Sequence, residues 1–150
     1  MDIPKLQIDP HAPVRTQASI LIHAPVEKVW DIQTDLENWP KWQPNIAHVT
    51  LQGPLEQGTQ FRWKAQGLTI TSTLQAVDRH RQIAWTGISM GMKAVHIWHF
   101  EPVDGGTRVT TEESLSGWLT RLLAFMDSRF LDKSMAASLE LLKSQAEKST

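Results

Sequence analysis

The residues best suited to chemistry lie in two neighbouring stretches, KAVHIWHFEPV and TRVTTEESLSG, which flank Asp104-Gly105-Gly106. Alternation puts His96, Trp98 and Phe100 on one face of the first stretch. It puts Val109, Thr111, Glu113 and Leu115 on one face of the second. Asp-Gly is a strong hairpin signal. If Asp104-Gly105 is a two-residue loop, Val103 faces Gly106, Phe100 pairs with Val109, Trp98 with Thr111, and His96 with Glu113. Directly opposed residues share a face, with Cβ atoms roughly 5 Å apart. An imidazole and a carboxyl at that distance, looking into tryptophan-rich surroundings, support three roles. They can satisfy each other as a buried pair. They can orient a hydroxyl or carbonyl of an otherwise apolar guest. Or Glu113 can orient His96 while His96 moves a proton in a cyclisation or dehydration. No nucleophile or oxyanion donor accompanies the pair, so the signal for catalysis is one dyad.

Other chemistries find little footing. His96 and His99 are three apart on a strand and leave from opposite faces, while His11, His23, His48 and His80 fall in separate segments. No metal site is expected, and no cofactor. A phosphate-binding loop, a nucleophile elbow and a dinucleotide motif are all absent. With no cysteine there is neither a disulfide framework nor thiolate chemistry. Fifteen basic and sixteen acidic residues give a formal charge of −1, with no broad footprint for nucleic acid. Arg62, Lys64 and the turn Asp78-Arg79-His80-Arg81 read as solvated surface.

The elements that must position the pair follow from periodicity. The 150 residues suit one domain, and 41% apolar with 21% charged residues is a globular composition. Residues 1–13, with three prolines, read as an arm on the surface, followed by one domain over 14–150. RTQASILIH is a strand with Ala18, Ile20 and Ile22 on one face. APVEKVWDIQT turns helical, with Pro25 at its start and Glu27 in the first turn. Asp35 is placed to cap a second short helix, which Pro40 is expected to end. From Ile46 to about Gly117 the text is strand and turn, including Phe61, Trp63 and Ala65 alternating with Gln60, Arg62 and Lys64. Short turns between consecutive strands mean an antiparallel sheet. From Trp118 to about Lys148 the helical period returns, through Leu119, Leu122, Leu123, Met126 and Phe130, then Leu139, Leu142 and Ala146. About 30 residues would span about 45 Å, with the weakest pattern, and so a bend, at Ser128 to Lys133. A long amphipathic helix on a one-sided antiparallel sheet is an α+β architecture of about seven strands. A curved sheet cannot touch a straight helix everywhere, so the gap is filled by large side chains or left as a cavity.

The order of elements, and the stretches IHAPVEKVWDIQTDLENWPKWQP, GPLEQGTQFRWKAQGLTITSTLQAVD, IAWTG and AVHIWHFEPVDGGTRVTTEESLSG, resemble START-like proteins of the SRPBCC superfamily, which have the helix-grip fold. The text is most similar to the polyketide cyclase/dehydrase-like branch and matches over most of residues 18–148. The resemblance implies a cavity between sheet and C-terminal helix and leaves the chemistry open.

On that basis the expected guest is a small, largely apolar molecule: aromatic, lipid or polyketide-like. Phe61, Trp63, Trp85 and Trp98 are its expected walls, and His96, Thr111 and Glu113 its polar contacts. Leu122 and Met126 are expected to line the helix side, with Phe130 beside them. Seven Trp and no Tyr mean walls without phenolic hydroxyls. Trp39 and Trp42, with Trp30, are expected to plug one end as packing rather than as ligand contacts. ISMGMKAV, with two methionines around Gly91, reads as an entrance loop. The alternatives are a cyclase/dehydrase-like enzyme using His96 and Glu113, and a regulatory protein-interaction module with a collapsed interior. No apolar segment is long enough to span a bilayer, no secretion signal opens the chain, and a cytoplasmic protein is expected, with homo-oligomerisation left open.

Overall fold

The computed structural model describes residues 7–148; part of the arm expected over residues 1–13, and residues 149–150, lie outside the described residues. Strand β1 (Val14–Ile22) is followed by helix α1 (Val26–Thr34) and a 3-10 helix (Leu36–Lys41). Six strands come next: β2 (Ile46–Leu51), β3 (Gln60–Ala65), β4 (Leu68–Asp78), β5 (Gln82–Ser89), β6 (Met92–Val103) and β7 (Gly106–Ser116). Helices α2 (Trp118–Met126) and α3 (Phe130–Ala146) close the chain. The strands form one antiparallel sheet in the order β1-β7-β6-β5-β4-β3-β2, so β2 to β7 run as a meander and β1 joins its far end. Bulges between Leu74 and Ala76, and between Ile46 and His48, add twist and bend. This is a helix-grip fold of the α+β class.

The inward face follows the alternation of each strand. Phe61 is buried between exposed Gln60 and Arg62, and Ile22 between exposed Leu21 and His23. Helix α1 presents Val29, Trp30, Gln33 and Thr34 to the interior. Trp30 meets Phe100 edge-on at 5.3 Å between ring centroids. Trp39 is only 2% exposed and stacks against Phe61, Trp63 and Trp85 at 5.5–6.0 Å, while its indole N–H donates to the Gln33 carbonyl at 2.9 Å. Trp42 is half-buried against the same cluster. Pro40 does not end the short helix, which continues to Lys41 and closes with Trp42 N–H donating to the Trp39 carbonyl at 3.1 Å. In so short a 3-10 turn the missing proline N–H costs little.

The C-terminal helix is broken over Asp127–Arg129, at the start of the stretch whose pattern is weakest. Asp127 turns extended, its carboxylate accepts the Arg129 N–H at 3.0 Å and Lys133 Nζ at 2.8 Å, and α3 begins at Phe130. Helix α3 packs Leu131, Met135, Leu139, Leu142 and Ala146 inward, at helical spacing. Helix α2 is rolled differently from the expected stripe. Thr120 is its buried residue, held by a hydrogen bond to the Ser116 carbonyl, and Leu119 and Leu123 are half-buried. Trp118, Leu122, Phe125 and Met126 face outward, Phe125 at 89% exposure. Gly91, at φ +75°, lies so close to α2 that a Cβ there would come within 2.6 Å of the Trp118 ring.

These packing differences set a stability contrast. Trp39→Ala should lower unfolding free energy by roughly 3–5 kcal/mol, because the void forms at the centre of the aromatic cluster. Phe125→Ser should stay within about 0.5 kcal/mol, as an exposed position does. Denaturant unfolding of both variants checks this; an unchanged transition for Trp39→Ala contradicts the packing role.

Candidate functional site

The pairing of β6 with β7 is Val103 with Gly106, Phe100 with Val109, Trp98 with Thr111 and His96 with Glu113. Gly105, at φ +85°, supplies the left-handed turn residue that a two-residue loop needs. His96 is 6% exposed, between Trp85 and Trp98 at ring separations of 5.0 and 5.3 Å. Its Nδ1 lies 3.2 Å from Glu113 Oε2, and its Nε2 lies 2.8 Å from Thr111 Oγ1. The Thr111 hydroxyl in turn points its proton toward Met135 Sδ on α3, at 3.9 Å.

Burial among indoles disfavours charge on both partners. It pushes His96 down to about 3 and Glu113 up to about 8, so burial favours the uncharged form of each. The hydrogen bonds then take one direction. The Thr111 hydroxyl donates to the Met135 sulfur, which leaves its oxygen to accept from His96 Nε2–H and turns Nδ1 toward the Glu113 carboxyl at 3.2 Å. Thr111 thus orients the ring, and the pair shares its titration across that contact.

Space remains between the sheet and the helices. One cavity of about 170 Å³ is bounded by α1, the 3-10 helix, the Gln43–Asn45 segment and the middle of α3. A second, of about 300 Å³, lies toward α2 and the start of α3. Trp63, Ala65, Gln66, Trp85, Glu113 and Ser134 line both, so the two adjoin at the Glu113 carboxyl. The interior therefore retains space beside His96 and Glu113.

Of the walls expected from sequence, Trp63 and Trp85 border both cavities, and Trp98 and His96 the smaller one. Phe61 borders neither, because Trp39, Trp63 and Trp85 cover it. Thr111 is fully buried behind His96 and touches no cavity. Leu122 and Met126 face outward; the helix side of the larger cavity is formed by Leu123, Phe130 and Leu131. In the ISMGMKAV segment, Ser89 and Met92 border the larger cavity, while Met90 is exposed. Gln33 was not singled out by sequence, yet it is 3% exposed and lines the smaller cavity. Its signal was available: Val26, Val29, Trp30 and Gln33 follow the helical period, so a carboxamide occupies an inward position. Among the described residues, no three His, Cys, Asp or Glu side chains converge as metal donors, and no helix is long and apolar enough to cross a membrane.

The fold and its internal chamber define a START-like domain of the SRPBCC superfamily. Residues 13–147 match the family described as polyketide cyclase / dehydrase and lipid transport, and the chain belongs to that family. Several solved structures share the fold. A hypothetical protein from Helicobacter pylori is 18% identical, with 98% of each chain covered and a TM-score of 0.85. The Zhui aromatase/cyclase from Streptomyces sp. R1128 is 15% identical, covering 89% of this chain and 93% of its own, with a TM-score of 0.78. A START superfamily protein from Mycobacterium smegmatis is also 15% identical, covering 89% and 97%, with a TM-score of 0.73.

The two shifted groups give stability a defined pH dependence. His96 resists protonation when folded, so stability falls as pH drops from about 6.5 toward 3. Glu113 holds its proton when folded, so stability falls as pH rises from about 4.5 toward 8. Between about 4.5 and 6.5 the two slopes oppose each other. Melting temperature measured across pH should therefore decline between pH 6.5 and 8, and Glu113→Gln should flatten that limb. A variant profile parallel to the parent's would mean that Glu113 is already ionised in the folded protein.

Proposed function

We propose that this protein binds a small, largely apolar molecule, aromatic, lipid or polyketide-like, in the cavity between its sheet and α3. The observation that carries this reading is the pair of adjoining cavities, walled by Trp63, Trp85 and Trp98 and left open at Glu113. Together they fall in the size range of small-molecule sites, and they combine apolar walls with a few convergent polar groups. The family's description and the aromatase/cyclase neighbour support the same reading. Indole faces supply contact area, and the His96–Glu113–Thr111 chain supplies direction without net charge.

A second reading, proton transfer on a bound substrate, is favoured by one specific feature. Glu113 borders both cavities and carries a proton with a pKa of about 8, near the working range of a general acid. Glu113 would give its proton to the substrate oxygen, and the carboxylate left behind would recover one from the substrate's acidic carbon or from water, with His96 orienting the carboxyl and Thr111 holding the imidazole. Such a site suits protonation of a carbonyl or departing hydroxyl in a cyclisation or dehydration.

The binding reading predicts that native mass spectrometry of the purified protein shows a co-purified small molecule, or that added apolar ligands change the Trp fluorescence. A protein that retains nothing, and whose emission stays flat over a panel of neutral aromatic and aliphatic compounds, contradicts it. The two readings separate at His96→Ala. Under proton transfer, turnover is lost and much binding survives; under binding alone, the change falls on affinity.

A further inference from the structure

The two cavities differ in chemistry, and the difference assigns an orientation to the guest. The residues that border only the smaller one include Gln33, Gln43, Asn45, His96 and Ser138. Gln33 is 3% exposed and lines this cavity, as does Trp98, whose indole N–H is, among the described residues, the buried side-chain group without a hydrogen-bond partner. A buried donor without a partner is costly, and a guest bearing an acceptor at this end, beside the Gln33 carboxamide, would relieve that cost. The residues that border only the larger cavity are mostly hydrocarbon: Leu68, Ile70, Ala94, Leu115, Phe130 and Leu131 are among them. Ser72, also there, already accepts the Trp63 indole N–H at 3.0 Å. Gly87 and Ala94, adjacent on β5 and β6, keep the sheet side of this compartment shallow and so leave the space open. Neither cavity is lined by Lys or Arg. A carboxylate or phosphate would therefore enter without a counter-charge, which disfavours an anion.

Both compartments lie under one helix. Phe130 borders the larger and Leu141 the smaller, and they lie eleven positions apart on α3, about 16 Å of helix. An extended molecule of that order would run parallel to α3, past Glu113 at its middle.

We propose that the guest is an elongated, uncharged amphiphile, with its polar head at the Gln33 carboxamide and its apolar tail in the compartment bounded by Ala94, Phe130 and Leu131. This rests on the ligand-binding reading above and adds the class and direction of the ligand. Gln33 selects the head and Ala94 sets the tail length. The head is a hydroxyl, carbonyl or amide, since a carboxamide both donates and accepts.

The test uses the full chain and a series of 1-alkanols from hexanol to tetradecanol, with fatty acids of matched length, at pH 7. Binding is read by Trp fluorescence and calorimetry. Affinity should rise about fourfold per methylene until the tail compartment is full, then level off. Each alcohol should bind at least tenfold more tightly than its matched acid anion. Gln33→Leu should weaken all alcohols by a similar factor of about ten, without moving the point where affinity levels off. Ala94→Phe should move that point to shorter chains and penalise long alcohols more than short ones. Ala94→Leu carries the same test with a smaller insertion if the Phe variant does not fold. Affinity independent of chain length, acids binding as well as alcohols, or an Ala94 variant that penalises all lengths equally would overturn the proposal while leaving ligand binding intact. If neither the alcohols nor neutral N-phenyl-1-naphthylamine binds, the ligand-binding reading fails, and this proposal with it.

Discussion

The site depends on the register of one hairpin. Side chains alternate across a strand with a period of two, so a slip of one residue between β6 and β7 would turn a partner of the pair to the outer face. Asp104-Gly105 prevents the slip by allowing only two residues to make the turn. From that constraint follow the opposition of His96 to Glu113, the diagonal reach of His96 to Thr111, and the shared burial of all three beneath α3. The same register puts Trp98 and Phe100 inward with them, so the polar groups sit among rings that withhold water. Their resistance to charge is a consequence of where the hairpin puts them.

The second constraint is one of shape. A bent sheet under a straight helix must be filled or left hollow. Here the two ends are treated unequally. Around Trp39, indoles and Phe61 pack at 5.5–6.0 Å and narrow the interior to the smaller cavity. Toward α2, Gly87 and Ala94 remove bulk from the sheet, and space persists. Apolar contact thus stabilises and narrows one end, and its absence leaves the wider compartment at the other. The break at Asp127 matters to this division. It lets α2 depart from the line of α3 and present Leu123, rather than Leu122 or Met126, toward the chamber.

Much of this was legible in the chain, for identifiable reasons. Period-two alternation in β3, β6 and β7 gave the inward faces, and Asp-Gly gave the register, because both are local rules with few competing solutions. Helix α2 was misread because it is apolar almost all round. Leu119, Leu122, Leu123, Phe125 and Met126 offer more than one stripe, and periodicity cannot choose among them. Thr120, which faces inward, is held by its own hydrogen bond to Ser116, a tertiary detail invisible in a hydrophobic pattern. Phe61 and Thr111 share faces with residues that border a cavity, yet others cover them. Face is encoded by alternation; depth is decided by neighbours from elsewhere in the chain. Gln33 escaped notice because a single amide on an apolar helical face looks like noise until a cavity is found beside it.

The turn that sets the register also abuts the end of β1. A Cβ at Gly106 would fall 2.0 Å from the Ile22 carbonyl oxygen, whereas at Gly67, in the turn joining β3 to β4, a Cβ would meet nothing within 4 Å. The two hairpins therefore offer opposite prospects for engineering. A peptide tag or fluorophore-bearing loop grafted at Gly67 has room to project, while any enlargement at Gly106 would prise β1 from its neighbour and misalign the proton-bearing groups several residues away.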